Sequence, residues 1–104
     1  MQTLIFMGTS RDAIRDFPEG ARREMGRQLL RIQLGANPTN WKPMKTVGSG
    51  VREVRISING EFRAFYVTTI GNAVYVLHAF RKKGQKTSPS DIALGRQRFK
   101  QIGA

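Results

Sequence analysis

The stretch VREVRISINGEFRAFYVTTIGNAVYVLHAF, residues 51–80, decides the fold. It falls into three segments rich in β-branched and aromatic residues, 51–58, 61–70 and 73–80, separated by Asn59-Gly60 and Gly71-Asn72. Both dipeptides accept the positive φ that tight hairpin turns require, so the reading is three strands in an antiparallel meander. A two-residue turn at Asn59-Gly60 would set Arg63 opposite Ile56 and Arg55 opposite Ala64. The two arginines would then lie on opposite faces, because side chains alternate along a strand. It would also put Arg63 on one face with apolar Val54, Ile56, Phe65 and Val67. A bulge or an odd-length loop is therefore expected, and either brings Arg55 and Arg63 to one face.

On the N-terminal side, residues 3–7 (TLIFM) form a short apolar run suited to a buried strand. Ser10 is placed to cap a brief helix through Phe17, and Pro18-Glu19 suit the first turn of a second helix to about Leu34, where Gly35 and Pro38 stop it. Ile14, Phe17, Ala21, Met25, Leu29 and Ile32 recur at steps of three or four, which is one buried helical face. Arg23, Arg27 and Arg31 make a stripe on the opposite face. Residues 35–50 hold five Gly or Pro without periodicity and read as a loop, with Trp41 plugging it onto the core. On the C-terminal side, Ser88, Pro89 and Asp91 carry the signature of a helix start, and Ile92, Phe99 and Ile102 would be the apolar face of a helix to about Ile102.

The expected class is α+β in the order β-α-α-β-β-β-α. One domain spans 1–104, with a mostly antiparallel sheet, the helices packed on one face and the other face at least partly open.

Composition narrows the partners. The 104 residues carry 18 Lys and Arg against 7 Asp and Glu, a formal charge of +11 at neutral pH. Such an excess calls for a polyanionic partner. A membrane is the weakest of these, since no apolar stretch nears the ~20 residues needed to span and no signal peptide opens the chain. There is no cysteine, which removes disulfides and thiolate metal sites and fits a cytoplasmic location. With seven scattered carboxylates and His78 alone, no metal or cofactor is expected.

The charge is uneven. Residues 1–50 have an excess of +4 and residues 51–104 an excess of +7, with Arg81, Lys82, Lys83 and Lys86 crowded at the exit of the last strand. Arg52, Arg55 and Arg63 interrupt the strands themselves. An open sheet face bearing Arg and Tyr suits RNA, with cations for phosphate and aromatic rings for bases. Cations alone also support one reaction, attack of an RNA 2′-hydroxyl on its own phosphate. Lys and Arg stabilise the phosphorane, and crowding lowers a lysine's affinity for its proton until it can transfer one.

The segments GSGVREVRI and EFRAFYV, and above all VLHAFRKKGQKTSPSDIALGRQR, resemble the HigB-type branch of the RelE/ParE toxin superfamily, including its phage-derived members. The resemblance covers the chain from about residue 3. It implies a RelE-like fold and the toxin component of a type II toxin-antitoxin system, a metal-independent endoribonuclease that cuts mRNA on the ribosome and inhibits translation. It also implies a helix-turn-helix, HigA-like antitoxin, with operator DNA bound only through that partner. By the same resemblance Arg63, Lys82, Lys83 and Arg55 are the catalytic candidates. Arg52, Tyr66, His78, Phe80, Arg81 and Lys86 are candidates for RNA contact, and Arg23, Arg27 and Arg31 for the antitoxin. Relatives place a lysine two positions before the arginine of REVRI; here that position is Glu53, which leaves the general base unassigned. A ParE-like inhibitor of DNA gyrase and a non-catalytic basic RNA-binding module are the alternatives.

Overall fold

In the computed structural model, which describes residues 1–103, the three predicted strands are β3 (Arg52–Ser57), β4 (Glu61–Val67) and β5 (Ala73–Arg81). They are flanked by β1 (Thr3–Phe6), which runs parallel to β5, and by β2 (Trp41–Pro43), antiparallel to β3. The sheet order is β1-β5-β4-β3-β2. The helices are α1 (Ser10–Arg15), α2 (Glu19–Gln33) and α3 (Pro89–Gln101). The α+β class and the mostly antiparallel sheet are as the sequence predicts. Strand β2 is an addition, since its three residues lie inside the Gly/Pro-rich segment read as loop. Trp41 is half-buried there, with the Arg52 guanidinium 4.2 Å from its ring centre.

Two irregularities set the faces. Ser57 pairs with Glu61, so the β3–β4 loop has three residues, with Asn59 at φ 51° and Gly60 at φ 139°. The plain two-residue turn is thereby excluded, and Arg55 lies directly opposite Arg63 on one face, as the longer loop requires. Between β4 and β5 the register passes from Phe65↔His78 to Tyr66↔Val76, which leaves Leu77 as an extra residue on β5. That bulge turns both Leu77 and His78 toward the face that carries Phe65.

Helices α1 and α2 close the first face, where Ile14, Phe17, Ala21, Met25, Leu29 and Ile32 meet Val54, Ile56, Phe62, Ala64, Tyr66, Val74 and Val76. All six periodic positions read from the sequence are buried. Ser10 does not cap α1. Its hydroxyl is buried and donates to the Val76 carbonyl (3.1 Å), beside the bulge, so it serves the sheet instead of the helix.

Helix α3 lies on the second face. Ile92, Phe99 and Ile102 pack on Met44, Val47, Val51, Phe65, Val67, Leu77 and Phe80. The expectation that the helices share one face is thus corrected: Phe65, Val67 and Leu77 make an apolar strip on the second face that α3 covers together with Met44, Val47 and Val51. Gly95 permits the contact, since a Cβ there would sit 2.8 Å from the Phe65 ring and 3.0 Å from Val47. The predicted start is present, with the Ser88 hydroxyl accepting from the Asp91 amide (3.2 Å) and Pro89 in the first turn. Among the described residues no helix is long and apolar enough to cross a membrane.

Candidate functional site

The part of the second face that α3 leaves uncovered is ionic. Pairing places Lys42 (β2) opposite Glu53 (β3), and Arg55 (β3) opposite Arg63 (β4). All four side chains therefore point the same way, and Lys82 follows one residue after β5, its amide donating to the Glu61 carbonyl (2.7 Å). At the centre is Glu53, fully buried. Its Oε1 lies 3.6 Å from Arg63 Nε, 3.9 Å from Arg55 Nε and 4.0 Å from Lys42 Nζ. Its Oε2 accepts one long hydrogen bond from the Thr87 hydroxyl (3.4 Å).

Arg63 forms the floor. Only 3% exposed, it donates to the Phe62 carbonyl and to Glu61 Oε1, each at 3.0 Å. The rim is more open: side-chain exposure is 43% for Lys42 and 32% for Arg55, and Lys82 is half-buried. Burial lowers the Lys82 pKa from the ordinary lysine value, as does repulsion from Arg63, Lys42 and Arg55, while Glu53 pulls the other way. The arrangement offers three rim cations to an anion and holds a fixed positive charge beneath them. Among the described residues no three His, Asp or Glu side chains converge, so no set of ligands for a metal ion is formed.

Residues 12–100 match the family described as Phage derived protein Gp49-like (DUF891). The chain belongs to this Gp49-like family. It is a toxin-like family in the RelE/HigB context. No curated protein is similar enough to the chain to count as a match.

In this Gp49-like chain the structure assembles Arg55, Arg63 and Lys82, while Lys83 and Lys86 are exposed on the adjoining loop. Other predicted contacts fall elsewhere. Tyr66 and Arg52 are on the first face. Tyr66 is enclosed (1% exposed), burial raises its pKa, and its ring is not available for stacking. Arg52 donates to Asn37 Oδ1 (2.9 Å) and lies over Trp41. Arg81 also faces that side, with its guanidinium 5.5 Å from the Phe62 ring centre.

His78 is on the second face but is not an open platform. Its Nε2 meets Asp91 Oδ1 at 2.7 Å, and its Nδ1 meets Arg98 at 3.3 Å. Because Arg98 can only donate, the ring is the neutral tautomer with the proton on Nε2. Burial lowers its pKa against the opposing pull of Asp91. Phe80 stacks on His78 (5.1 Å, 17°) and meets Phe65 edge-on at 5.3 Å, so it too is built into the packing. The stripe on α2 is exposed, with Arg23 and Arg27 paired to Glu19 (2.6 Å) and Glu24 (3.5 Å) and Arg31 donating to the Asn37 carbonyl.

Sequence reasoning missed Lys42 and the central place of Glu53. Lys42 sits in Trp41-Lys42-Pro43, where one in-out-in alternation is too short to register as a strand. Glu53 was visible, two positions from Arg55 and hence on its face, but only the register shows that four cations surround it.

Proposed function

We propose that this Gp49-like chain is the toxin component of a toxin-antitoxin pair and cleaves mRNA on the ribosome. One observation carries the reading: Lys42, Arg55 and Lys82 converge at the rim of one sheet face, over the buried Arg63. The phosphate at the scissile bond binds between them. The RNA 2′-oxygen attacks phosphorus, its proton leaves to a base, and the bond to the 5′-oxygen breaks. The products are a 2′,3′-cyclic phosphate and a 5′-hydroxyl. Charge builds on the non-bridging oxygens along this path, and the rim cations oppose it at no cost in reorganisation because the sheet has already fixed them.

Lys82, whose proton is held less firmly than that of a free lysine, donates toward the 5′-oxygen. Lys83 and Lys86 track the backbone on the loop. Arg63 acts from below, through its charge. An antitoxin of the helix-turn-helix class covers the site or the α2 stripe when the toxin is silent.

Purified ribosomes translating a defined message test this. The wild-type chain produces new mRNA ends inside codons, and Lys82→Ala and Arg55→Ala each slow cleavage by about 10² to 10³-fold, the effect of losing one oxyanion donor. Intact message with the wild-type chain, or equal cleavage by all three proteins, would sink the reading. DNA breaks in expressing cells with intact message would point to gyrase instead.

A further inference from the structure

Glu53 is out of place by every ordinary rule of stability. A fully buried carboxylate is costly unless its oxygens are hydrogen-bonded, and replacing a buried ion cluster with packed apolar residues is often neutral or stabilising. Yet Oε1 has no hydrogen-bond donor, and the Arg55 and Arg63 Nε atoms, both buried, have no acceptor. The three cations stand at 3.6, 3.9 and 4.0 Å, within range of charge but beyond that of a hydrogen bond. They are drawn to Glu53 without being locked on it.

The register supplies the reason for a negative charge here. Arg55 and Arg63 are directly opposite across the β3–β4 ladder, an arrangement that like charges disfavour, and Glu53 shares their face as the diagonal neighbour of Arg63, two positions before Arg55 on β3. Lys82 arrives at the same cluster from the end of β5, and Lys42 from β2. Without an anion in the middle, four cations would repel one another and spread toward solvent.

We propose that Glu53 is a built-in counter-anion: it draws Lys42, Arg55 and Arg63 together in the free chain and, by cancelling one of their charges, sets the affinity of the cluster for the phosphodiester backbone of single-stranded RNA. The ligand class rests on the function proposed above; the electrostatic role of Glu53 does not. Two consequences separate it from a merely structural residue. The charge it cancels is one the RNA would otherwise neutralise, so removing it strengthens binding and steepens its salt dependence. It also favours the protonated form of Lys82 against Arg63, Arg55 and Lys42, with Glu61 on β4 and Lys83 and Lys86 on the loop as the other charges nearby.

Glu53→Gln keeps the shape and removes the charge. The probe is a 2′-O-methyl RNA oligonucleotide, which lacks the attacking hydroxyl and is not cut. The expected result is tighter binding at low salt, with the slope of log affinity against log salt steeper by about 0.7 for one more phosphate neutralised. Lys82, followed by NMR across pH, loses its proton at lower pH in E53Q than in the wild type. Equal affinity, equal slope and an unmoved Lys82 titration overturn the proposal.

Since E53Q leaves cations uncompensated and can unfold for that reason, the same comparison is made on a Lys42→Met background, which has one cation fewer. E53Q/K42M binding more tightly than K42M supports the counter-anion, and binding equal to K42M overturns it. A wild-type chain that binds no RNA refutes the RNA reading alone, and the Lys82 titration then decides the part played by Glu53.

Discussion

The two faces of the sheet come from the same strands and the same alternation, yet they are closed in different ways. Under α1 and α2 the first face packs apolar side chains, with Met25, Leu29 and Ile32 on Val54, Ile56, Ala64 and Val76, and its cations Arg52 and Arg81 lie at strand ends. The second face is divided. Its Phe65, Val67 and Leu77 are covered by α3, while its Glu53, Arg55 and Arg63 carry charge and meet Lys42 and Lys82 in place of a helix. A chain of this size can devote half a face to charge because the opposite face already supplies a closed core. The difference also assigns tasks: the first face holds the strands in register, and that register aims the charged half of the second.

This division is open to attack by substitution. Met25→Ala, at a fully buried position on the first face, should cost about 2–5 kcal/mol in chemical denaturation, the range for emptying a packed core site. Lys82→Ala should leave stability within about 0.5 kcal/mol, as for a typical surface change, while lowering RNA cleavage by about 10² to 10³-fold. If Lys82→Ala destabilised the chain as much as Met25→Ala does, the charged half would be part of the core and the contrast would fail. Gly95→Val tests the covered half. A Cβ at Gly95 meets the Phe65 ring at 2.8 Å, so α3 must lift, at a cost of about 1–3 kcal/mol in denaturation, with the rim cations left in place.

How far the sequence carried these assignments depends on the length of the pattern behind each. The α2 face repeats over fifteen residues, and all its predicted positions are buried. The start of α3 was equally legible, because Ser88, Pro89 and Asp91 each satisfy a specific need of a helix N-terminus. The side of the sheet on which α3 packs was not: one apolar stripe fits either face, and the Leu77 bulge that widens the second-face strip leaves no mark in composition. The site was half legible. Arg55 and Arg63 could be put on one face by rejecting the simple turn, and Lys82 by the strand exit. Arg52 and Tyr66 were misplaced because a basic or aromatic residue in a strand says nothing of its face until the register is known. Lys42 was missed because three residues are too few to show an alternation.

The smallest effect probes the seam between the covered and charged halves. His78 stacks on Phe80, the cross-strand partner of Arg63, and is fixed from α3 by Asp91 and Arg98. Burial holds its folded pKa below the ordinary value of 6.5, although Asp91 pulls upward. The unfolded chain therefore takes the proton first as pH falls. Stability is full above about pH 6.5 and declines as pH drops through the lowered folded value, with a slope no steeper than about 1.4 kcal/mol per pH unit for a single proton. His78 is the only histidine, so between about pH 6.5 and 5 no other side chain of ordinary pKa titrates. Denaturation midpoints at pH 8, 6.5 and 5 should fall in that order, and His78→Gln, which can still donate to Asp91 but cannot ionise, should flatten the series. A decline that survived in H78Q would show that His78 is not the source of the acid sensitivity and that its seat at the seam with α3 is not the weak point of the second face.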